Sequence, residues 1–294
     1  METFFSFLER RVDDCSSLLC IGLDPHIPDL RTDGQLPVPT ADTARDFCLN
    51  LIQQTAPYAA AFKPNAAFFE VFGAEGWTAL REVIEAVQDE SNRRGSMIPV
   101  ILDAKRGDIA STAEAYAKAA FETLGAHCIT LSPYLGKDSI EPFLQVHEKG
   151  VFLLCKTSNP GSGDLQDLRV DGGQWTEGGM QSMVNGPRSM PLYEHVARLA
   201  QTWNTKNNIG LVVGATHVDA LKRVRAAAPD LWFLAPGVGA QGGELESALK
   251  AGLRRDGKGM LIPVSRSVAR AEKPGLAAAE LRDQILEIKR EMKV

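Results

Sequence analysis

Three charged residues follow a short apolar run of the chain at close spacing. The run, 98–102, leads directly into Asp103, Lys105 and Asp108. In an extended segment the side chains alternate between two faces, so Asp103 and Lys105 are predicted to point the same way. Asp108 comes after Gly107, where the chain can turn. Two carboxylates and an ammonium at the end of a strand are typical of a site that carries out chemistry, because gathering such charges in a fold is costly.

A second lysine stands at the end of the preceding apolar run. Lys63 follows the run 59–62 directly. If the two runs form neighbouring strands, Lys63 joins the three charged residues above in an array of two cations and two anions. Such an array holds each side chain in place and keeps both lysines charged. The alternative interpretation is a group of surface ion pairs, which contribute little to stability.

Glycine-rich sequence and one arginine near the C-terminus are typical of an anion site. Glycines stand at 237, 239, 242 and 243 around Gln241, and Arg266 follows the next apolar run. Glycines let backbone N–H groups approach an anion, and the planar guanidinium of Arg266 suits phosphate oxygens. The glycines alone fit a plain turn equally well, but together with Arg266 they predict a phosphate site. The sequence has neither a Walker A motif nor a dinucleotide fingerprint.

The elements that must position these residues alternate along the chain. Short apolar runs predict eight buried parallel strands, at 18–23, 59–62, 98–102, 128–131, 151–154, 210–213, 232–235 and 259–264. Amphipathic segments predict eight helices, at 40–55, 76–93, 111–124, 138–148, 191–205, 217–227, 242–253 and 277–292. The pattern predicts an α/β fold, a single-domain (β/α)8 TIM barrel over 1–294. A doubly wound open sheet is the alternative, because periodicity does not report whether a barrel closes.

The predicted barrel would gather the polar residues on one face, since active sites of this fold lie at the C-terminal ends of the strands. Polar residues do follow those ends, at Asp24, Lys63, 103–108, 156–159, 236–243 and 265–267. A long segment, 157–188, interrupts the alternation and is predicted to be a surface loop or flap.

Composition excludes several classes of protein. The chain has 294 residues, of which 44% are hydrophobic and 23% charged, enough for a large core. A net charge of −5 gives no support for a nucleic-acid surface. No apolar run approaches the ~18 residues of a membrane span, and no signal peptide is recognised. Five cysteines and five histidines show neither disulfide nor metal-ligand spacing, so reduced thiols, a cytoplasmic location and no bound metal are expected.

Six segments resemble one family, and they occur in that family's order. They are 22–25 (Gly-Leu-Asp-Pro), 62–65 (Phe-Lys-Pro-Asn), 102–109 (Leu-Asp-Ala-Lys-Arg-Gly-Asp-Ile), 157–160 (Thr-Ser-Asn-Pro), 236–243 (Pro-Gly-Val-Gly-Ala-Gln-Gly-Gly) and 265–267 (Ser-Arg-Ser). On these motifs the chain resembles the orotidine 5'-phosphate decarboxylases of the longer-chain bacterial-type group. The likeness covers nearly the whole chain, and the charged motif combined with the later glycine motif is specific.

The resemblance implies a (β/α)8 homodimer that converts orotidine 5'-phosphate to UMP and CO2 in de novo pyrimidine biosynthesis, without a cofactor. It implies that loss of CO2 leaves a carbanion at C6 of the pyrimidine ring, and that Lys105 protonates this carbon. The implied charged tetrad is Lys63, Asp103, Lys105 and Asp108, with Asp108 and Thr112 shared across the dimer interface. The implied substrate-binding residues are Asp24 for the ribose, Ser158 for the pyrimidine, and Gln241 and Arg266 for the 5'-phosphate.

Two other functions remain open from the sequence. A Mg-dependent sugar-phosphate decarboxylase or aldolase on a related barrel also uses Asp-x-Lys-x-x-Asp, but it carries an acidic metal ligand at the end of the second strand, where this chain has Lys63. A non-catalytic nucleotide-binding barrel would need the phosphate loop and Arg266, but not Lys63 and Lys105 together.

Overall fold

Eight hydrogen-bonded strands define the architecture. A computed structural model describes residues 2–30, 39–170, 174–176, 179–181, 189–237 and 242–294. Within these residues, eight parallel strands form a nearly closed barrel with eleven α-helices, which confirms the predicted (β/α)8 class. The barrel strands are β1 (Leu19–Leu23), β2 (Ala61–Pro64), β3 (Ile101–Arg106), β4 (Cys128–Leu131), β5 (Gly150–Lys156), β6 (Ile209–Val213), β7 (Phe233–Leu234) and β8 (Met260–Val264).

The contact between β2 and β3 distinguishes a barrel from an open sheet. Parallel ladders join the strands in the order β2–β1–β8–β7–β6–β5–β4–β3. Parallel bridges from Phe62 to Val100 and from Asn65 to Asp103 then join β2 to β3 and close the ring. The doubly wound alternative is therefore wrong, because that fold leaves the sheet open. The closure also makes the end of β2 the neighbour of the end of β3.

Two strands extend farther toward their C-terminal ends than their apolar runs predict. β2 continues through Lys63, and β3 continues through Lys105 to Arg106. The prediction followed hydrophobicity, whereas a strand is defined by backbone pairing, which is indifferent to side-chain polarity. The charged side chains therefore project from strand backbone rather than from the loops that follow it.

Helices cover the outside of the barrel. They are α1 (Phe4–Cys15), α2 (Ala41–Thr55), α3 (Ala67–Glu70), α4 (Gly73–Arg94), α5 (Ala110–Lys118), α6 (Gly163–Gln166), α7 (Leu192–Trp203), α8 (Val218–Ala227), α9 (Gly242–Gly252), α10 (Arg266–Ala269) and α11 (Pro274–Met292). The helix predicted at 138–148 is wrong. Short 3₁₀ turns occupy that region, the last at Glu141–Leu144, because Pro142 lacks the N–H that an α-helix interior requires.

The N-terminal helix α1, which the sequence patterns did not predict, closes the end of the barrel opposite the strand C-termini. Phe5 packs edge-on against Phe152 at 5.6 Å and stacks on Trp232 at 6.3 Å between ring centroids. Gly150 starts β5 beside Phe4, where a Cβ would lie 2.2 Å from the ring. These aromatic contacts fill the N-terminal mouth, so only the opposite mouth is left for a ligand.

The long segment after β5 contains structure of its own. Its described part includes α6 and an antiparallel pairing of Arg169–Val170 with Met190–Pro191. A second antiparallel pair joins Gln174–Thr176 to Gly179–Gln181. Among the described helices, none has both the length and the apolar character needed to cross a membrane.

Candidate active site

A cleft of about 710 Å³ opens at the C-terminal ends of the barrel strands. Its polar lining residues come from six strand ends and from α6, and they include Asp24, Lys63, Asp103, Lys105, Thr130, Thr157, Ser158, Asn159, Gln166, Ser265, Arg266 and Ser267. The structure thus brings six of the predicted site residues into one cleft: Asp24, Lys63, Asp103, Lys105, Ser158 and Arg266. Gln241 lies outside the described residues. Asp108 and Thr112 do not line the described cleft.

Asp103 accepts from both lysines at the floor of the cleft. The Lys63 ammonium donates to Oδ2 of Asp103 at 2.8 Å, and the Lys105 ammonium donates to Oδ1 at 2.5 Å. The side chains of Lys63 and Asp103 are only 10% and 11% exposed, whereas that of Lys105 is 51% exposed. The buried ion pair of Lys63 and Asp103 therefore holds Lys105 in place, and the Lys105 ammonium faces the open cleft.

The charges of Lys63 and Asp103 stabilise each other. Burial would lower the pKa of Lys63, but Asp103 and then Asp24 outweigh that effect and raise the pKa above its usual value. Burial would likewise raise the pKa of Asp103, but Lys63 and Lys105 together hold the pKa well below its usual range. Both groups are therefore charged at neutral pH.

The backbone of Lys105 is not the regular strand that the prediction assumed. Its φ is +47°, in the left-handed region that residues with a Cβ rarely adopt. The register of β3 against β4 shifts at this point. The side chains of Asp103 and Lys105 do meet, but through a bulge rather than through simple alternation. Bulges of this kind re-aim side chains next to active sites.

Thr130 of β4 is a site residue that sequence reasoning missed. Its hydroxyl donates to Asp103 Oδ1 at 3.0 Å and accepts from the backbone N–H groups of Ala104 and Lys105. The residue is 1% exposed. The signal for it was weak but present, because Thr130 is the polar residue of the apolar run 128–131.

The predicted array of four charges is not formed within one chain. Asp108 Oδ1 accepts from the backbone N–H of the next residue, Ile109, at 2.8 Å. Among the described contacts, neither Lys63 nor Lys105 pairs with Asp108. Thr112, one turn into α5, is exposed. Within one subunit the structure does not bring Asp108 to the two lysines, because the chain turns away from the cleft after Gly107.

Asp24 presents an unsatisfied acceptor. Its Oδ1 is buried and has no hydrogen-bond partner among the described residues. Gly22, two residues earlier, allows the ends of β1 and β8 to approach, since a Cβ there would lie 2.9 Å from both Asp24 Oδ2 and Ser265 Cβ. Buried acceptors are rarely left unpaired in folded proteins. Asp24 is thus suited to accept a hydrogen bond from a ligand hydroxyl.

The phosphate side of the cleft is described in part. Arg266 begins α10 and is exposed at the rim, with no protein partner among the described residues. Gly237 has a φ of +97°, which only glycine adopts readily, and it turns the chain out of β7 toward the predicted anion loop. The remainder of that loop, 238–241, lies outside the described residues.

The end of β5 divides its polar residues between the cleft and the protein interior. Lys156 turns away from the cleft, and its buried ammonium donates to Asp167 Oδ1 at 2.8 Å and Ser162 Oγ at 3.1 Å. Gln166, a second cleft residue that the sequence did not predict, accepts from the backbone N–H of Thr157 at 2.9 Å. These bonds fasten the start of the long segment and hold Ser158 at the cleft.

Comparison with known proteins gives one consistent result. The family model described as "Orotidine 5'-phosphate decarboxylase / HUMPS family" matches residues 17–281. The orotidine 5'-phosphate decarboxylase of Roseiflexus castenholzii is 46% identical over 290 residues, which cover 96% of this chain and 97% of the relative. The solved OMP decarboxylase of Leishmania donovani is 52% identical with a TM-score of 0.82, and the match covers 98% and 99% of the two chains. The solved Leishmania donovani UMP synthase is 53% identical with a TM-score of 0.82, over 98% of this chain and 57% of that one.

Proposed function

This chain belongs to the orotidine 5'-phosphate decarboxylase / HUMPS family, and we propose from that premise that it converts orotidine 5'-phosphate to UMP and CO2 in de novo pyrimidine biosynthesis. The observation that carries the proposal is the Lys63–Asp103–Lys105 cluster at the floor of a cleft that has Arg266 at its rim. A decarboxylation needs a cation where an electron pair is left behind, and a nucleotide needs a distant anchor for its phosphate.

The proposed chemistry uses Lys105 as both electrostatic partner and proton donor. The bond between C6 and the carboxylate breaks, CO2 leaves, and the electron pair stays on C6 in the plane of the ring, where it cannot delocalise into the π system. The Lys105 ammonium stabilises this carbanion and then donates the proton that forms the new C6–H bond. Lys105 regains its proton from solvent, so no oxidant, reductant or cofactor is required.

Asp103 has two roles in this proposal. Its carboxylate fixes the Lys105 ammonium at 2.5 Å, and its negative charge opposes the substrate carboxylate until CO2 departs. A pair of unit charges about 4 Å apart interacts by about 4 kcal/mol at an effective dielectric of about 20. Enzymes lower barriers by about 8–23 kcal/mol, so this repulsion is one contribution among several.

Binding energy at the far end of the nucleotide supplies a second contribution. We propose that Arg266, together with Gln241, holds the 5'-phosphate, and that this remote energy is used to place the pyrimidine against Lys105. The unsatisfied Oδ1 of Asp24 supports a contact with the ribose hydroxyls. The fastened start of the long segment supports a contact between Ser158 and the pyrimidine.

A homodimer is part of the proposal. Asp108 and Thr112 lie outside the cleft of their own subunit, so they are available to complete the cleft of a partner. Close to them in sequence, Ile109 is 54% exposed, and Tyr134, after β4, is 80% exposed. A second copy related by twofold symmetry would cover these apolar side chains. The five buried free thiols are consistent with the cytoplasmic location that we propose.

The Mg-dependent alternative fits the end of β2 poorly. Lys63 stands where those enzymes carry an acidic metal ligand, and its ammonium is held against Asp103 at 2.8 Å. A divalent cation at this position would meet a like charge and would compete for the same carboxylate. The paired lysines also go beyond what a non-catalytic nucleotide sensor needs.

One direct assay tests the proposal. Purified protein is incubated with orotidine 5'-phosphate while the pyrimidine absorbance and CO2 release are followed, with and without a chelator. The expected result is stoichiometric formation of UMP and CO2 that the chelator does not affect. Absence of turnover by the wild-type protein would overturn the proposed function, and abolition by the chelator would favour the Mg-dependent reaction class.

A further inference from the structure

The bulge between β3 and β4 leaves backbone donors that a regular ladder would have paired. Leu102 pairs with Ile129, and the next pairing joins Arg106 to Leu131. Three residues of β3, from Asp103 to Lys105, therefore face the single residue Thr130. Backbone N–H groups withdrawn from the ladder need other acceptors, and here a side-chain hydroxyl provides one.

The geometry assigns a partner to each acceptor site of the Thr130 hydroxyl and to its proton. Its oxygen accepts from the N–H of Ala104 at 3.1 Å and from the N–H of Lys105 at 2.9 Å. A hydroxyl has two acceptor sites and one proton, so the proton is left to donate to Asp103 Oδ1 at 3.0 Å. Thr130 is 1% exposed, and its bond to Asp103 is buried.

The same hydroxyl thereby positions two charged residues, Lys105 and Asp103. It supports the Lys105 backbone in the left-handed conformation at φ +47°, which a residue with a Cβ rarely adopts. It also fixes the Asp103 oxygen to which the Lys105 ammonium donates at 2.5 Å. The start and the end of the Lys105 side chain are thus both positioned through one atom of Thr130.

We propose that Thr130 is a positioning residue for the decarboxylation, acting through Asp103 and Lys105 rather than on the substrate. This inference rests on the proposed function, because it assigns to Thr130 the placement of the ammonium that protonates C6. Loss of the hydroxyl leaves the N–H groups of Ala104 and Lys105 without their acceptor and one Asp103 oxygen with a single donor. The ammonium is then free to move away from the position that the reaction needs.

The test compares Thr130→Val, which keeps the volume and removes the hydroxyl, with Thr130→Ser, which keeps the hydroxyl. We expect kcat to fall roughly 100-fold in Thr130→Val, the loss typical of a misplaced catalytic group, while the affinity for UMP is unchanged. Thr130→Ser should restore kcat. The matched control is Thr55→Val, another buried threonine, whose hydroxyl donates to the Leu51 carbonyl at 2.7 Å in α2, and it should leave kcat unchanged.

A purely structural role predicts a different pattern, in which kcat and UMP affinity fall together in proportion to the folded fraction. That pattern, or an unchanged kcat in Thr130→Val, would overturn the inference. If Thr130→Val does not fold, Thr130→Ala removes the hydroxyl without placing a methyl group in its site, and the same outcomes decide.

A readout that does not need activity separates this inference from the proposed function. Amide hydrogen exchange at Ala104 and Lys105 should be faster in Thr130→Val than in the wild type, because both N–H groups lose their acceptor. A wild-type protein that fails to decarboxylate orotidine 5'-phosphate would overturn the proposed function. Unchanged exchange at both amides would overturn the positioning role of Thr130, whatever the activity.

Discussion

The Lys63 ammonium lies 2.8 Å from Asp103 Oδ2, although forty residues separate the two in the chain. The pair is buried at the junction that closes the barrel, since β2 and β3 meet there through bridges rather than a full ladder. Each charge is stable in this place only because the other is present. The contact between β2 and β3 that closes the barrel therefore also brings Lys63 to Asp103.

Removing the charge of Asp103 tests this dependence. Asp103→Asn leaves the buried Lys63 ammonium without its nearest counter-ion, so we expect the free energy of unfolding to fall by about 3 kcal/mol. We also expect kcat to fall roughly 10²–10³-fold, because Lys105 loses its anionic partner. The control is Asp89→Asn on the exposed face of α4. Equal stability of the two variants in urea unfolding would contradict the role of the pair.

Lys105→Met tests the proposed proton donor. The Lys105 side chain is half exposed, so its loss should affect folding little. We expect kcat to fall by roughly 10²–10⁴-fold, the range of general acid catalysis, while UMP still binds through the phosphate side of the cleft. Lys118→Met, at an exposed position of α5, is the control. Turnover like that of the wild type in Lys105→Met would remove this lysine from the mechanism.

Arg266→Ala tests the phosphate anchor. Loss of a charge-assisted contact costs about 1.5–3 kcal/mol, so we expect KM to rise roughly 10–100-fold with little change in folding. Arg270→Ala, at the C-terminal end of the same helix α10, is the control, because Arg270 pairs with Asp29 at 3.0 Å and does not line the cleft. Similar KM values for the two variants would reject the assignment of Arg266.

Mixing two inactive variants tests whether Asp108 acts across the dimer. In a heterodimer of Lys105→Ala and Asp108→Ala subunits, one site would combine an intact Lys105 with the partner's intact Asp108. With random exchange in a twofold-symmetric dimer, we expect the mixture to regain about a quarter of the wild-type activity. If Asp108 serves its own subunit, remixing by denaturation and refolding will restore no activity.

His127 predicts a pH-dependent loss of stability. Burial, aided by the charge of Lys149, lowers the pKa of His127 to about 4, and its Nδ1 accepts from the Val100 N–H at 3.1 Å only while the ring is neutral. A folded pKa below the unfolded value means that stability is present above about pH 6.5 and lost as the pH falls toward 4.

His127→Asn offers a comparison, because an amide oxygen can accept the same N–H without titrating. Between pH 7 and 4.5, the wild type should lose about 2–3 kcal/mol more of its free energy of unfolding than the variant. Urea unfolding at the two pH values measures the difference. Parallel losses in both proteins would show that His127 is not the titrating group.

The sequence by itself determined the fold class and most of the members of the site. Apolar runs of strand length alternate with amphipathic helices, and in a barrel this alternation sends the residue after each strand to one mouth. Asp24, Lys63, Ser158 and Arg266 could therefore be predicted without knowledge of any contact. Family motifs pointed to the same residues.

Only the tertiary structure decided how the charges meet. Periodicity reports side-chain direction for regular backbone, and Lys105 departs from regular backbone at a bulge that depends on Thr130 in the next strand. It also reports nothing about where a chain goes after a turn, so it did not reveal that Asp108 leaves the cleft of its own subunit. The bulge arises from a contact between residues 25 apart in the sequence, which exists only once β3 and β4 have paired.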